Sequence, residues 1–327
     1  MSCFATNWPC SRTQLDVIRA AAFLLLVTAL FLAVSSANAQ HSTKENFVVG
    51  FPEDNMSNDW RAAQARELAV EFERYGNVEF HLADAQGSPS QNIHDIEGMV
   101  SKGAELLFLG PRNAKLLTPV VERLRRKGIH IVLLTRRIES HDFDTFISPN
   151  DFNIAKSAAE LLAAHLNNKG RILMLEGVPT TTTAIQRGNG FKAGLSAFPE
   201  VRLVATKTGN YSRADGLRAM EEALKEGIKF DAIYSHNDAM LVGARIAMKG
   251  AGIDPREFPS VGIDYISEAR DAIRTGEQLA SFTYPTCGKE GADAAMKILK
   301  GEFVPKFIDV PAALVTKENV EETPTIF

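Results

Sequence analysis

From residue 46 to about residue 300 the chain alternates, almost without interruption, between short apolar runs and amphipathic stretches. Phe47-Val48-Val49-Gly50-Phe51 reads as a strand, and residues 59–75 as a helix in which Ala65, Leu68, Ala69 and Phe72 recur at i, i+3, i+4 and i+7. Val78–Leu82 is the next strand. Ser88-Pro89-Ser90-Gln91 opens a helix with Ser at the cap, Pro in the first turn and Gln placed to reach back. Leu106–Leu109 and Ile129–Leu134 are strands around a helix over 115–127 that ends at Gly128. The cycle resumes after Ser148-Pro149-Asn150, with helices over 151–168, 184–197, 213–226, 238–250, 266–275 and 287–300. Between them fall strands at 172–175, 201–205, 230–234, 261–263 and 279–282. Strand after helix at this spacing dictates right-handed βαβ units, hence α/β architecture: parallel sheets with helices on both faces. The 46–148 and 150–283 blocks share this rhythm, and 327 residues are enough for two domains.

The first 39 residues do not follow the rhythm. Arg12 and Arg19 precede an apolar and small-residue run, Ala20–Val34, broken only by Thr28, and then comes Ser-Ser-Ala37-Asn38-Ala39-Gln40. This is the charged, apolar and small-residue order of a secretory signal, with cleavage expected after Ala39. The run is shorter than the ~20 residues of a spanning helix. Cleavage would change the net charge from −4 to −5 and leave Cys287 as the single cysteine, without an internal disulfide partner. A chain of this size can build its core by burial alone in an oxidising compartment. The mildly acidic balance gives no electrostatic footprint for nucleic acid.

In open α/β sheets ligands bind beyond the carboxyl ends of the strands, so the polar residues there carry the functional information. Asn58, Asp59, Trp60 and Arg61 follow the first strand, Pro111 and Arg112 the third, and Arg136 and Arg137 the fourth. In the second block Glu176, four threonines (Thr180–Thr183) and Arg187 follow the first strand. Tyr211, His236-Asn237-Asp238, Asp264 and Tyr284 come later. Amide, carboxylate and guanidinium groups hold adjacent hydroxyls bidentately, and aromatic rings pack on sugar C–H faces, so the set suits a polyol. Each residue also has a structural reading. Asn58 and Asn237 are helix caps in it. Trp60, Tyr211 and Tyr284 are packing groups, Arg112 and Arg137 surface cations, and His236 is a buried hydrogen-bonding group rather than a base. Nucleotide-binding glycine loops and the zinc-protease pattern are absent from the sequence, and its seven histidines show no metal-ligand spacing, so neither an enzyme, a metal nor a cofactor is expected.

Several strings together resemble the type I periplasmic sugar-binding proteins. They are Val48-Val49-Gly50-Phe51 with Asp59-Trp60-Arg61-Ala62-Ala63, Leu133-Leu134-Thr135-Arg136, Thr183–Phe191, Gly209-Asn210-Tyr211-Ser212-Arg213, Tyr234–Met240 and Val261-Gly262-Ile263-Asp264. The resemblance spans about residues 46–320 and points to the ribose- and galactofuranose-binding branch of ABC-transporter solute receptors. It implies two Rossmann-like lobes joined by a three-segment hinge, with crossovers near 147–150, 283–285 and 307–311. The expected division is a signal peptide at 1–39, an N-terminal lobe from 45–148 plus 284–308, and a C-terminal lobe from 149–283 plus 309–327.

The resemblance, with Asn58 added from its place after the first strand, gives the ligand set Asn58, Trp60, Arg61, Arg136, Arg187, Tyr211, Asn237, Asp264 and Tyr284. Trp60 and Arg61 contact the sugar, Arg136 holds ring or anomeric oxygens, and Arg187, Asn237 and Asp264 bind hydroxyls. Tyr211 stacks, and Tyr284 sits near the family's ligand Gln. The expected partners are a small sugar and a membrane ABC permease, with a monomer acting in the periplasm; an exported sensory subunit for a chemoreceptor or membrane kinase is the alternative. A sugar-responsive repressor of the same core fold would need a DNA-binding helix pair where the signal segment stands. One departure alters the expected ligand. The family's Asp-Arg at the end of strand four is Thr135-Arg136 here, which sets Arg61, Arg136 and Arg187, with Arg112 as a further candidate, against Asp264 and favours a ligand with a carboxylate or phosphate, a sugar acid or other modified sugar. Arg187→Ala and Asp264→Ala are both expected to abolish binding and leave the empty protein folded.

Overall fold

The computed structural model describes residues 46–327, and the expected signal peptide lies outside them. The described residues form two six-stranded sheets. The first contains β1 (Phe47–Glu53), β2 (Val78–Asp84), β3 (Leu106–Leu109), β4 (His130–Leu134), β5 (Thr145–Ser148) and β11 (Phe307–Asp309), in the order β11-β5-β4-β3-β1-β2. The second contains β6 (Gly170–Glu176), β7 (Val201–Thr208), β8 (Ala232–Ser235), β9 (Ser260–Asp264), β10 (Ala280–Thr283) and β12 (Leu314–Val315), in the order β12-β10-β9-β8-β6-β7. All pairings are parallel except β10 with β12. This is the two-lobed, doubly wound α/β fold expected from the alternation.

Nine α-helices connect the described strands: α1 (Asp59–Tyr75), α2 (Pro89–Ser101), α3 (Ala114–Arg126), α4 (Asp151–His165), α5 (Thr182–Leu195), α6 (Arg213–Lys225), α7 (Asp238–Gly250), α8 (Ser267–Thr275) and α9 (Gly288–Leu299). They cover both faces of each sheet, and the strand period of two divides the core accordingly. Leu106 and Phe108 pack with α1 and α9, whereas Leu107 and Leu109 pack with α2 and α3. In the second sheet Ile172 and Met174 face α4 and α5, while Leu173 and Leu175 face α6 and α7. The chain passes between the sheets three times, from β5 to α4, from β10 to α9, and from β11 to β12.

Helix starts follow the local chemistry. Asn58, Ser88, Asn113, Asn150, Thr181, Ser212 and Asn237 each accept a backbone N–H in the first turn of the following helix. Gln91 does not reach back to the cap of α2; its amide donates to Asp95 at 2.7 Å instead, one turn onward. Strand β5 was not expected from the sequence, because four residues ahead of a proline carry too short a pattern.

Helices α4 and α5 approach closely through small residues. A Cβ at Gly190 would lie 2.1 Å from the Phe152 carbonyl oxygen, a backbone atom that cannot turn aside. Gly190→Ala is therefore expected to destabilise the protein by about 1–3 kcal/mol despite the better helix propensity of alanine. Urea unfolding checks this, and an unchanged midpoint would contradict the close packing.

Candidate functional site

All nine residues of the expected ligand set line one cleft of about 440 Å³ between the lobes. The carboxyl ends of the central strands of both sheets open into it, as the sheet geometry requires. Arg61, Arg136, Arg187, Asn237 and Asp264 are all buried, as are Trp60, Tyr211 and Tyr284.

The N-terminal turn of α1 supplies one wall. Asn58 caps the helix by accepting from the Arg61 backbone N–H at 3.1 Å, and its amide donates across the cleft to the Tyr211 carbonyl at 2.8 Å. The capping and site readings of Asn58 thus coexist. Asn237 repeats the device from the other lobe, capping α7 through the Met240 N–H and donating to the same carbonyl at 3.3 Å. The two amides hold Tyr211 in a left-handed conformation, φ 63°, that a tyrosine rarely adopts. Its ring lies on Gly177, where a Cβ would sit 2.0 Å from the ring. Trp60 donates from Nε1 to the Tyr284 carbonyl at 2.9 Å, and their rings are 5.6 Å apart. The Arg61 guanidinium lies 5.2 Å over Trp60 and donates to Gln64.

Arg187 is 2% exposed. Its Nε donates to Asp151 at 2.8 Å, Nη1 donates to the His236 carbonyl, and the guanidinium stacks 4.4 Å over Tyr284. The Tyr284 hydroxyl donates to Asp151 at 3.2 Å and meets Ser148 at 3.3 Å. Asp264 stands opposite with φ 107°, a strained backbone for an aspartate. Burial pushes its carboxyl up to about 8, against the downward pull of Arg187. His236 is structural, as its sequence context suggested. Its Nδ1 accepts from the Gly177 N–H at 3.2 Å, and burial pushes the imidazole well below its usual range.

The arginines expected to stand against Asp264 alone have further carboxyl partners. Arg136 donates from Nη1 to both oxygens of Asp54 at 3.2 and 3.3 Å, Arg61 Nε lies 3.8 Å from Glu53, and Arg187 is paired with Asp151. Four arginines, with Arg112 included, therefore face four carboxyl groups, Glu53, Asp54, Asp151 and Asp264; burial pushes Glu53 well above the usual carboxylate range and Asp264 up to about 8, so the excess of guanidinium charge is reduced rather than cancelled. Glu53 and Asp54 form the last residue of β1 and the first beyond it, and Asp151 opens α4. Their position at strand and helix ends on the ligand side was the signal available in the sequence. Arg112 is half-buried and lines the cleft rather than the outer surface. Arg137 does not line it; its guanidinium lies 5.5 Å over Phe146.

Three of the four threonines join the lobes. Thr181 caps α5. Thr180 donates to the Arg112 carbonyl at 2.7 Å, Thr183 donates to the Thr135 carbonyl at 2.8 Å, and Thr182 accepts from the Arg137 N–H at 2.9 Å. At the cleft rim Arg213 pairs with both Asp59 and Glu268. Among the described residues no group of histidine, cysteine, aspartate and glutamate side chains could hold a metal ion.

Two doubly wound lobes, three crossings and a polar cleft between them define a type I solute-binding protein. The chain belongs to the periplasmic binding protein domain family, whose model matches residues 49–303. It is 25% identical over 298 residues to a ribose import binding protein of Bacillus subtilis, covering 90% of this chain and 96% of that protein. It is 27% identical over 283 residues to the galactofuranose-binding protein of Escherichia coli, covering 84% and 89%. Among solved structures, the fructose-binding periplasmic domain of a hybrid two-component system superposes with a TM-score of 0.81 at 29% identity, covering 85% and 93%. The resemblance to the ribose- and galactofuranose-binding branch therefore holds.

Proposed function

We propose that this chain is an exported, non-enzymatic binding protein that captures a small sugar or sugar derivative in the interlobe cleft. It delivers that solute to an ABC permease. The observation that carries this reading is the convergence of all nine ligand-set residues on one cleft closed by hydrogen bonds between lobes. Trp60, Tyr211 and Tyr284 supply ring faces for sugar C–H groups, and Asn237, Arg136, Arg187 and Asp264 supply directed hydrogen bonds. The ribose and galactofuranose names of its relatives agree with that chemistry. The lobes in this reading are 45–148 with 284–308 and 149–283 with 309–327, hinged at the three crossings. Residues 1–39 are the cleaved signal, and a monomer acts in the periplasm.

A thermal-shift panel of pentoses, hexoses, furanoses, polyols and sugar acids tests it. A ligand at ~100 times its dissociation constant adds about 2.7 kcal/mol when it binds only the folded state. Absence of a shift from every compound would overturn the reading. The fructose-binding domain of a two-component system supports a second reading, presentation of ligand to a membrane sensor. Genes for a permease and an ATPase beside this one would support import, and a gene for a membrane kinase would support sensing.

A further inference from the structure

We propose that Asp54 is a ligand-contacting carboxylate of this cleft, and that it selects a neutral polyhydroxyl compound over an anionic one. The proposal rests on the sugar-binding reading and adds a residue outside the expected ligand set.

Asp54 is 7% exposed, yet it lines the cleft. Its backbone is held in place: the N–H donates to Glu53 at 3.0 Å and the carbonyl accepts from Gly87 at 2.7 Å. Three guanidinium groups surround the side chain. Arg136 donates to both oxygens through a single nitrogen, Arg112 stands 4.0 Å away, and Arg61 lies behind with Glu53. A carboxylate has about four lone-pair positions, and one arginine nitrogen together with the Glu53 carboxyl does not fill them. Burial would raise the Asp54 carboxyl, but Arg136, a hydrogen bond with Glu53, Arg61 and Arg112 together bring it down to about 2, so it is an acceptor at any physiological pH. On the same wall the buried Nε of Arg136 has no partner.

A fixed carboxylate beside the Arg136 and Arg112 guanidinium groups that line the cleft is a donor-and-acceptor pair. It matches two neighbouring hydroxyls, or a hydroxyl and a ring oxygen, each of which donates or accepts as required. It does not match a carboxylate or phosphate. An anion reaching Arg136 would also lie against the charge of Asp54, which already pairs with that guanidinium, so it gains less there than at an unpaired arginine. The position that lacks an acid, Thr135, is itself in the cleft wall at φ 58°, and its hydroxyl turns back to the Leu134 carbonyl. The carboxylate on this wall comes from the end of β1 rather than from the end of β4.

The test is calorimetric titration of the wild-type protein with neutral aldoses and cyclitols and with their matched aldonates and uronates. It is run at 50 and 500 mM salt and repeated with Asp54→Asn. The expected result is at least tenfold preference of the wild type for a neutral compound, with an affinity unchanged by salt. Asp54→Asn is expected to weaken that compound about 100-fold and to narrow or reverse the preference against the acid. Tighter wild-type binding of an acid, or loss of less than threefold on Asp54→Asn, would overturn the proposal and leave the sugar-binding reading standing. Binding of nothing in the panel would overturn both. Asp54→Asn removes the partner of a buried arginine, so its fold is checked by circular dichroism. If that variant does not fold, Asp54→Glu is titrated in its place; it keeps the charge beside Arg136 but moves it by one methylene, and an unchanged affinity for the neutral compound would overturn the contact.

Discussion

Replacing Asp264 with asparagine should abolish ligand binding and raise the melting temperature of the empty protein at neutral pH. The Asp264 carboxyl is lifted to about 8 in the folded, empty cleft, mainly by burial. In the unfolded chain it titrates near the ordinary aspartate value of 3.8. Between those values the folded state holds a proton that the unfolded state has lost. Stability of the empty protein is therefore fully present below about pH 4 and declines as pH rises towards 8, by at most about 1.4 kcal/mol per pH unit. Asparagine is neutral throughout and escapes that penalty. A gain of several °C at pH 7.5, shrinking towards pH 4, is the expected signature in a melting series. Ligand hydroxyls that donate to the ionised carboxylate should reverse the shift on binding. Affinity should then rise with pH from 6 to 8, by no more than tenfold per unit, with release of a proton seen as a buffer-dependent calorimetric heat. Affinity independent of pH over that range would refute this role for Asp264.

Arg187→Ala should also abolish binding, but at a heavy cost to the fold. The sequence reading, in which the empty protein stays folded, does not survive the geometry. Arg187 is the partner of buried Asp151, a donor to the His236 carbonyl and a stacking surface for Tyr284. Removing it strands a carboxylate inside the second lobe, and breaking a buried pair of this kind costs about 3–5 kcal/mol. The double variant Arg187→Met/Asp151→Asn removes both charges and should recover much of the stability without recovering binding. Urea unfolding separates the cases, and equal losses in the single and double variants would show that the stranded charge is not the cause.

Both expectations depend on contacts that the sequence alone did not supply, and the residues show why. Helix α1 was legible to the residue, 59–75, because its apolar positions recur every three or four residues and Asn58 caps it. The central strands were legible because strands buried on both faces are continuous apolar runs. Strands β11 and β12, of three and two residues, carry no period and exist only through their neighbours β5 and β10.

The cleft divides in the same way. Its nine expected residues were found because an open parallel sheet places its ligand side at the strand ends. Their charge partners were missed because Asp54 lies 82 residues from Arg136, and Asp151 lies 36 from Arg187. Neither separation leaves a local pattern.

The sequence by itself determined the class of fold, the family and the side of each sheet on which ligand chemistry gathers. All three follow from periodicities and strings that are local in the chain. Only the tertiary structure decided which arginine meets which carboxylate, and which hydrogen-bonding groups remain unfilled. Pairing between buried charges is a property of distance in space, and in a cleft with little water that distance sets both the ionisation of Asp264 and the acceptor role proposed for Asp54.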